Sequence, residues 1–289
     1  MDAGGKPHSR AGQGIIEKMT TSSATGDLPR APGRSPAFIP TKAAWYRILS
    51  VVGLFVIWQI AALVPISPAF PTFTSTIVAF YEMVADGRMI FAYADTLKPL
   101  LIGVAISAGF GILLGISMGL NRLFQWFWEP IFVVMQAAPV AALIPLITYV
   151  YGLGLTAKVV AVVILAAPII VLNSYKAVSN ASPNLIQMCA SFQGTRLQQI
   201  WKVIIPNAAP VMFAGLRLGI AGGFIGVILA ELLITPTGVG DLITFHRSRA
   251  DYAEMYAAVL SVMTFSALTV GLLERAEINF FRPEKKKGR

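Results

Sequence analysis

The chain has 289 residues, 56% of them hydrophobic and only 13% charged, with a mean hydropathy of +0.69. A soluble domain carries about 25% charged residues, so this composition excludes a globular surface turned to water. The net charge of +9 does not point to nucleic acid, because the cations flank apolar blocks and form no single patch.

In chain order, residues 1–43 are rich in Gly, Ser, Thr, Pro and Ala with scattered Lys and Arg, and read as a disordered cytoplasmic tail. They are not a secretory signal, since the first long apolar block starts only near Trp45 and lacks a small-residue cleavage site. Residues 44–281 form the membrane domain. Apolar blocks of about 20 residues, the length that crosses the hydrocarbon core, predict six spans at 46–65, 97–120, 126–150, 156–173, 208–234 and 254–274. The fold class is therefore all-α and membrane-embedded. Between the first two spans, Ile77, Phe80, Tyr81 and Val84 recur at helical spacing. They predict an amphipathic surface helix that starts near Thr or Ser and ends at Gly87. Residues 282–289 form a basic tail.

Lys and Arg set the orientation. Arg47, Arg122, Lys176, Arg196, Lys202 and the run Arg275 to Arg289 fall on one side; Arg88, Lys158, Arg247 and Arg249 fall on the other. The richer side is the cytoplasm by the positive-inside rule, so both termini are expected there. The terminal lysines would also suit anionic membrane lipid.

The second span carries Gly103, Ser107, Gly111, Gly115 and Gly119, and the fifth carries Gly215, Gly219, Gly222, Gly223 and Gly226. Small residues in register let helix backbones approach closely in lipid, against either an internal helix or a second subunit. The third span holds Pro130, Pro139 and Pro145, which remove helical hydrogen bonds. Pro139, Pro145 and the polar Gln136 mark it as a pathway or hinge candidate, with a structural kink as the other reading. Arg217 lies deep in the fifth span and needs either an ionic partner or a water-filled cavity; Glu231 sits near that span's outer end.

Motifs for chemistry are absent from the sequence. There is no phosphate-binding G-x-x-x-x-G-K-[ST] and no H-E-x-x-H, and His246 is followed by "RSRAD" in an expected external loop. One cysteine, Cys189, and two distant histidines provide neither disulfide nor metal spacing, so no cofactor is expected and the chain does not read as an enzyme.

The cytoplasmic segment of residues 174–206 holds "NASPNLIQMCASFQGTRLQQIWKVIIP", which divides into two short helices. Ser182 is placed to cap the first, and Pro183 fits its first turn. Gly194 is placed to take the left-handed conformation that ends it, Thr195 to cap the second, and Pro206 to stop it. Leu185, Ile186, Cys189 and Phe192, then Leu197, Ile200, Trp201 and Ile204, form apolar stripes. These either fold back on the spans or meet a cytoplasmic partner.

From about residue 70 to 281 the sequence resembles a permease subunit of a bacterial ATP-binding-cassette importer, of the group serving nitrate, sulfonates and taurine. Supporting stretches are "LNSYKAVSNASPNLI", "AGLRLGIAGGFIGVILAELL", "LNRLFQWFWEPIFVVMQAAPVAALIPL" and "LLERAEINFF". The family loop pattern E-A-A-x3-G-x9-I-x-L-P, counted back from Pro206, falls on Gln187, Met188, Cys189, Gln193, Val203 and Ile205. Here the acidic residue is Gln187, both alanines are replaced, and the glycine is displaced by one to Gly194. Either the turn shifts by one residue or Gln193 takes an unfavourable backbone conformation.

The resemblance implies a type I importer permease fold in the bacterial inner membrane. It implies a loop that docks on cytoplasmic ATP-binding-cassette subunits, a periplasmic or lipid-anchored solute-binding protein, and pairing with a second copy around a pathway for a small anion-like solute. A stand-alone channel or secondary carrier is the alternative.

Overall fold

The computed structural model describes residues 40–64, 67, 69–234 and 236–281; for residues 40–44, 47, 280 and 281 it describes the backbone alone. Most of the expected tail, residues 1–39, and the basic residues 282–289 lie outside the described residues. The described residues form α1 (Pro40–Leu63), α2 (Phe73–Ala85), α3 (Arg88–Leu120), α4 (Arg122–Ala137), α5 (Val140–Tyr151) and α6 (Leu155–Ser179). These are followed by α7 (Pro183–Ser191), α8 (Arg196–Gln199), a π-helical turn (Ile200–Ile204), α9 (Ile205–Leu233), α10 (Val239–Ser248) and α11 (Tyr252–Phe281). The packed unit begins at Ser50, inside α1.

Among the described residues four helical stretches are long and apolar enough to cross a membrane: Arg88–Leu120, Leu155–Ser179, Arg196–Leu233 and Tyr252–Asn279. A fifth is α4 with α5, which are bent by 101° where they meet. The span expected at 46–65 corresponds to α1, whose apolar part Ile48–Leu63 is shorter than the rest. The last span, Tyr252–Asn279, is longer than expected and extends past Glu274 to take in Glu277.

Helix α6 is the centre of the packing. A Cβ added at Gly103 of α3 would lie 2.5 Å from Val162, at Gly111 3.0 Å from Ile170, at Gly115 2.5 Å from Ser174, and at Gly119 2.5 Å from Val178. The matched residues rise together, so α3 and α6 run parallel and in step, one contact every one or two turns. On another side of α6, Gly226 of α9 meets the Ala161 carbonyl, Gly222 meets Ile169, Gly219 meets Ile170 and Gly215 meets Asn173. That order is reversed, so α9 is antiparallel. Both glycine rows therefore face one internal helix. Between lipid-solvated helices the attraction is mostly dispersion, which falls steeply with distance, and the missing side chains are what allow contact at this range.

Helix α2 is capped by Thr72, whose hydroxyl accepts from the Ser75 N–H at 3.2 Å. Its buried residues are Thr76, Ala79 and Met83, which join Met89, Ala92, Val239, Ala257 and Ala258. The predicted stripe is thus turned by about one position: Phe80 and Val84 pack against this core, but Ile77 and Tyr81 are exposed. Gln59 of α1 accepts from the Thr74 N–H at 3.1 Å, which ties α1 to the start of α2. Gly87 follows α2 at φ 83°, and Asp86 accepts from both the backbone N–H and Nε of Arg88. The backbone bond, with the guanidinium, holds the Asp86 carboxyl below its ordinary pKa.

These contacts predict an asymmetry between glycines. Gly115→Val should lower detergent-solubilised stability by roughly 1–3 kcal/mol through overpacking, because its Cβ would meet Ser174 and the Val171 carbonyl. Gly109→Val, where nothing lies within 4 Å, should leave the thermal midpoint unchanged. Equal midpoints for the two variants would contradict the packing.

Candidate functional site

The loop after α6 is built from local rules. Ser182 occupies the N-cap of α7 and Pro183 its first turn, but the Ser182 side chain makes no capping bond; only its carbonyl accepts, from Ile186 N–H. At the other end the Gln193 N–H donates to Ala190 O and the Gly194 N–H to Cys189 O, each at 2.9 Å. That paired pattern is a Schellman motif, whose first residue past the cap takes the left-handed conformation. Here that residue is Gln193, with φ 57°. The expectation that Gly194 takes the left-handed conformation is corrected: Gln193 takes it and bears the strain. Gly194 is needed for room. A Cβ there would lie 2.5 Å from Cys189 Sγ and 2.8 Å from Cys189 O.

Thr195 then starts α8 with a capping box: its hydroxyl accepts from Gln198 N–H, and the Gln198 side chain accepts from Thr195 N–H at 2.9 Å. Pro206 does not stop the chain. The helix widens into one π turn, with the Ile205 N–H donating to Ile200 O, and passes Pro206 in the first turn of α9. A wider turn accommodates the proline ring and its missing donor. The loop is consequently continuous with the span that carries the second glycine row.

The apolar stripes separate into two faces. Ile186, Ile200 and Ile204 pack onto Ala177, Val178, Ala181, Ala208 and Met212 at the ends of α6 and α9. Phe192 is 79% exposed and Trp201 66%, with Met188 and Leu197 also open. Gln187, Gln193, Thr195 and Arg196 are exposed around them, Cys189 is half-buried, and Ile205 lies at the join to α9.

The pathway candidates are not all brought together. Helices α4 and α5 meet at Ala138–Pro139, so Pro139 marks the break itself, while Pro130 and Pro145 lie within the two helices. Gln136, Pro139 and Pro145 are exposed around this bend. Arg217 on α9 pairs instead with α11, its Nη1 3.5 Å from Glu274 Oε2 and 3.7 Å from Glu277 Oε2. His246, expected in an external loop, is buried in α10.

The sequence reading missed a buried charged cluster. Lys158 and Glu231, taken from the sequence as groups near span ends, are 3% and 2% exposed. Lys158 Nζ donates to Glu231 Oε1 and to the carbonyl and hydroxyl of Thr237, all at 2.9 Å. Glu231 also accepts from the Thr96 hydroxyl at 2.9 Å and the Gly240 N–H at 3.0 Å, while Thr96 accepts from the Val239 N–H at 3.0 Å. Gly238, at φ 97°, lies against the Glu231 carboxylate where no side chain would fit. The cluster ties α3, α6, α9 and the start of α10 together at the end remote from the loop. A signal existed in one cation and one acid at opposite ends of two neighbouring spans, but pairing them required knowing that α6 and α9 are antiparallel.

The model for the binding-protein-dependent transport system inner membrane component matches residues 109–277. The chain belongs to this family. It is the membrane permease component of such a system, and its spans make it a multi-pass membrane protein. A riboflavin transport system permease protein of Chloroflexus aurantiacus is 30% identical over 77% of this permease and 85% of its own length. An aliphatic sulfonates transport permease protein of Bacillus subtilis is 24% identical over 89% and 96% of the two chains. A nitrate import permease protein of Leptolyngbya laminosa is 26% identical over the same shares. In fold, the permease resembles a solved amino acid ABC transporter chain (TM-score 0.54, 18% identity, 71% of this chain and 98% of that one). It also resembles the inward-facing methionine ABC transporter (TM-score 0.53, 18% identity, 68% and 97%).

The buried pair predicts a thermodynamic cycle. Lys158→Met alone leaves Glu231 uncompensated and should cost about 3–5 kcal/mol, whereas the double variant with Glu231→Leu should recover most of the loss. Thermal unfolding in detergent checks this; additive losses would mean the two groups do not act as a pair.

Proposed function

We propose that this permease lines the pathway of an ATP-driven importer for a small anion-like solute, and that the loop from Pro183 to Pro206 is its docking element for a cytoplasmic ATPase. The carrying observation is the two-faced loop, packed on α6 and α9 by one side and open on the other. An ordered apolar surface of this kind fits burial by a partner. The family relatives named for nitrate and aliphatic sulfonates favour a small oxyanion or organic anion as solute.

In this reading both termini and the loop face the cytoplasm, two copies of the chain surround the pathway, and a periplasmic binding protein delivers the solute. Closure of the ATPase pair on ATP moves the docked loops, and the spans rock between inward-open and outward-open states. Because α8, the π turn and α9 form one continuous helix, displacement of the loop is transmitted directly to the glycine-packed span. The break at Pro139 supplies the exposed, deformable wall, with Gln136 and Pro145 beside it. Arg217, held by two carboxylates of α11, ties the moving span to its neighbour.

Uptake into vesicles that contain the permease, its ATPase and its binding protein tests this. Gly194→Val should lose most ATP-driven uptake with membrane insertion intact, because the side chain would collide with Cys189 and deform the docking turn. Gln193→Gly, which relieves a left-handed residue, should keep it. Normal uptake by Gly194→Val, or uptake that needs no nucleotide, would overturn the proposal.

A further inference from the structure

The open face of the loop has a one-sided charge. Between Glu129 and Glu231 the sequence contains no Asp or Glu. Lys176, Arg196 and Lys202 are all exposed at the loop or its base, and the remaining exposed polar groups there, such as Gln187, Gln193 and Gln198, are neutral. The same loop exposes Met188, Phe192, Leu197 and Trp201. The capping box and the Schellman turn hold this arrangement rigid, so its charges are presented in a fixed geometry. On the opposite side of the loop, Ile186, Ile200 and Ile204 face the spans, so the cationic rim is turned away from them.

We infer that the surface receiving this loop on the ATPase subunit is an apolar groove rimmed by carboxylates, with no cation set against Gln187. The inference rests on the docking role proposed above and specifies the chemistry of its partner. Complementary charge at an interface rim speeds encounter and excludes wrong partners, and like charge placed opposite is costly. An acid-free loop meeting a cationic groove would pay that repulsion at Arg196 and Lys202 and recover nothing at Gln187. A carboxylate rim satisfies both cations, accepts from the Gln187 amide, and leaves the aromatic centre to fill the groove as the main source of affinity. An anionic lipid surface presents similar charge but lies on the side of the spans, whereas this face points away from them.

The test is binding of the ATPase that copurifies with the full-length chain to the permease in nanodiscs of purely zwitterionic lipid. Affinity should fall as salt rises. Arg196→Glu with Lys202→Glu should weaken binding by about tenfold at low salt, with the difference vanishing in high salt, as rim charges behave. Gln187→Glu should weaken binding too, because it sets a new anion against the carboxylate rim. Tighter binding by Gln187→Glu, or unchanged low-salt binding by the double charge variant, would overturn the inference while leaving docking intact. A requirement for anionic lipid in the nanodisc would overturn it in favour of a membrane contact. Failure of the docking reading looks different: Phe192→Ala and Trp201→Ala would then bind the ATPase as the wild type does.

Discussion

Everything in this permease depends on how closely two helices approach α6. Glycines at regular spacing on α3 and α9 bring their backbones against Val162, Ile170, Ser174 and Ala161, at distances where any side chain would collide. In lipid there is little hydrophobic gain from hiding apolar surface, so short-range dispersion over a long, matched seam has to hold the helices. The seam works in two directions at once. Its parallel half with α3 and antiparallel half with α9 bury α6 along most of its length, and the three-helix unit carries the loop at one end and the buried charged cluster at the other.

At one end is the loop between α6 and α9. Its stiffness comes from local backbone chemistry: a Schellman turn closes α7, a capping box opens α8, and a π turn carries the helix past Pro206. The turn also shows how one glycine requirement can be divided. Gln193 carries the left-handed backbone and Gly194 provides the clearance over Cys189.

At the other end, Lys158, Glu231 and Thr96 lock the same three helices and the start of α10 through a fully bonded network. A buried pair of this kind adds little net stability over an apolar core, but it penalises every register except the one that pairs the charges. The α4–α5 pair lies outside this clamped unit. Its two helices meet at a 101° break.

The positions of the last five spans, the glycine rows, the kinked third span and the cap at Thr195 were legible in the sequence, because each depends on a local pattern of hydropathy or hydrogen bonding. Positions that depend on which neighbour a face meets were not. The exposure of Ile77 and Tyr81, the pairing of Arg217 with Glu274 and Glu277, and the burial of Lys158 with Glu231 all join residues far apart in the chain. By itself the sequence determined an all-helical membrane chain with an acid-free, aromatic loop outside its spans, since length and side-chain polarity decide what lipid will accept. Only the tertiary structure decided that both glycine rows meet α6, and that Gln193 takes the strained turn. The physical reason is that contact distance and steric clearance are properties of two backbones held together, and neither strand of sequence contains the other.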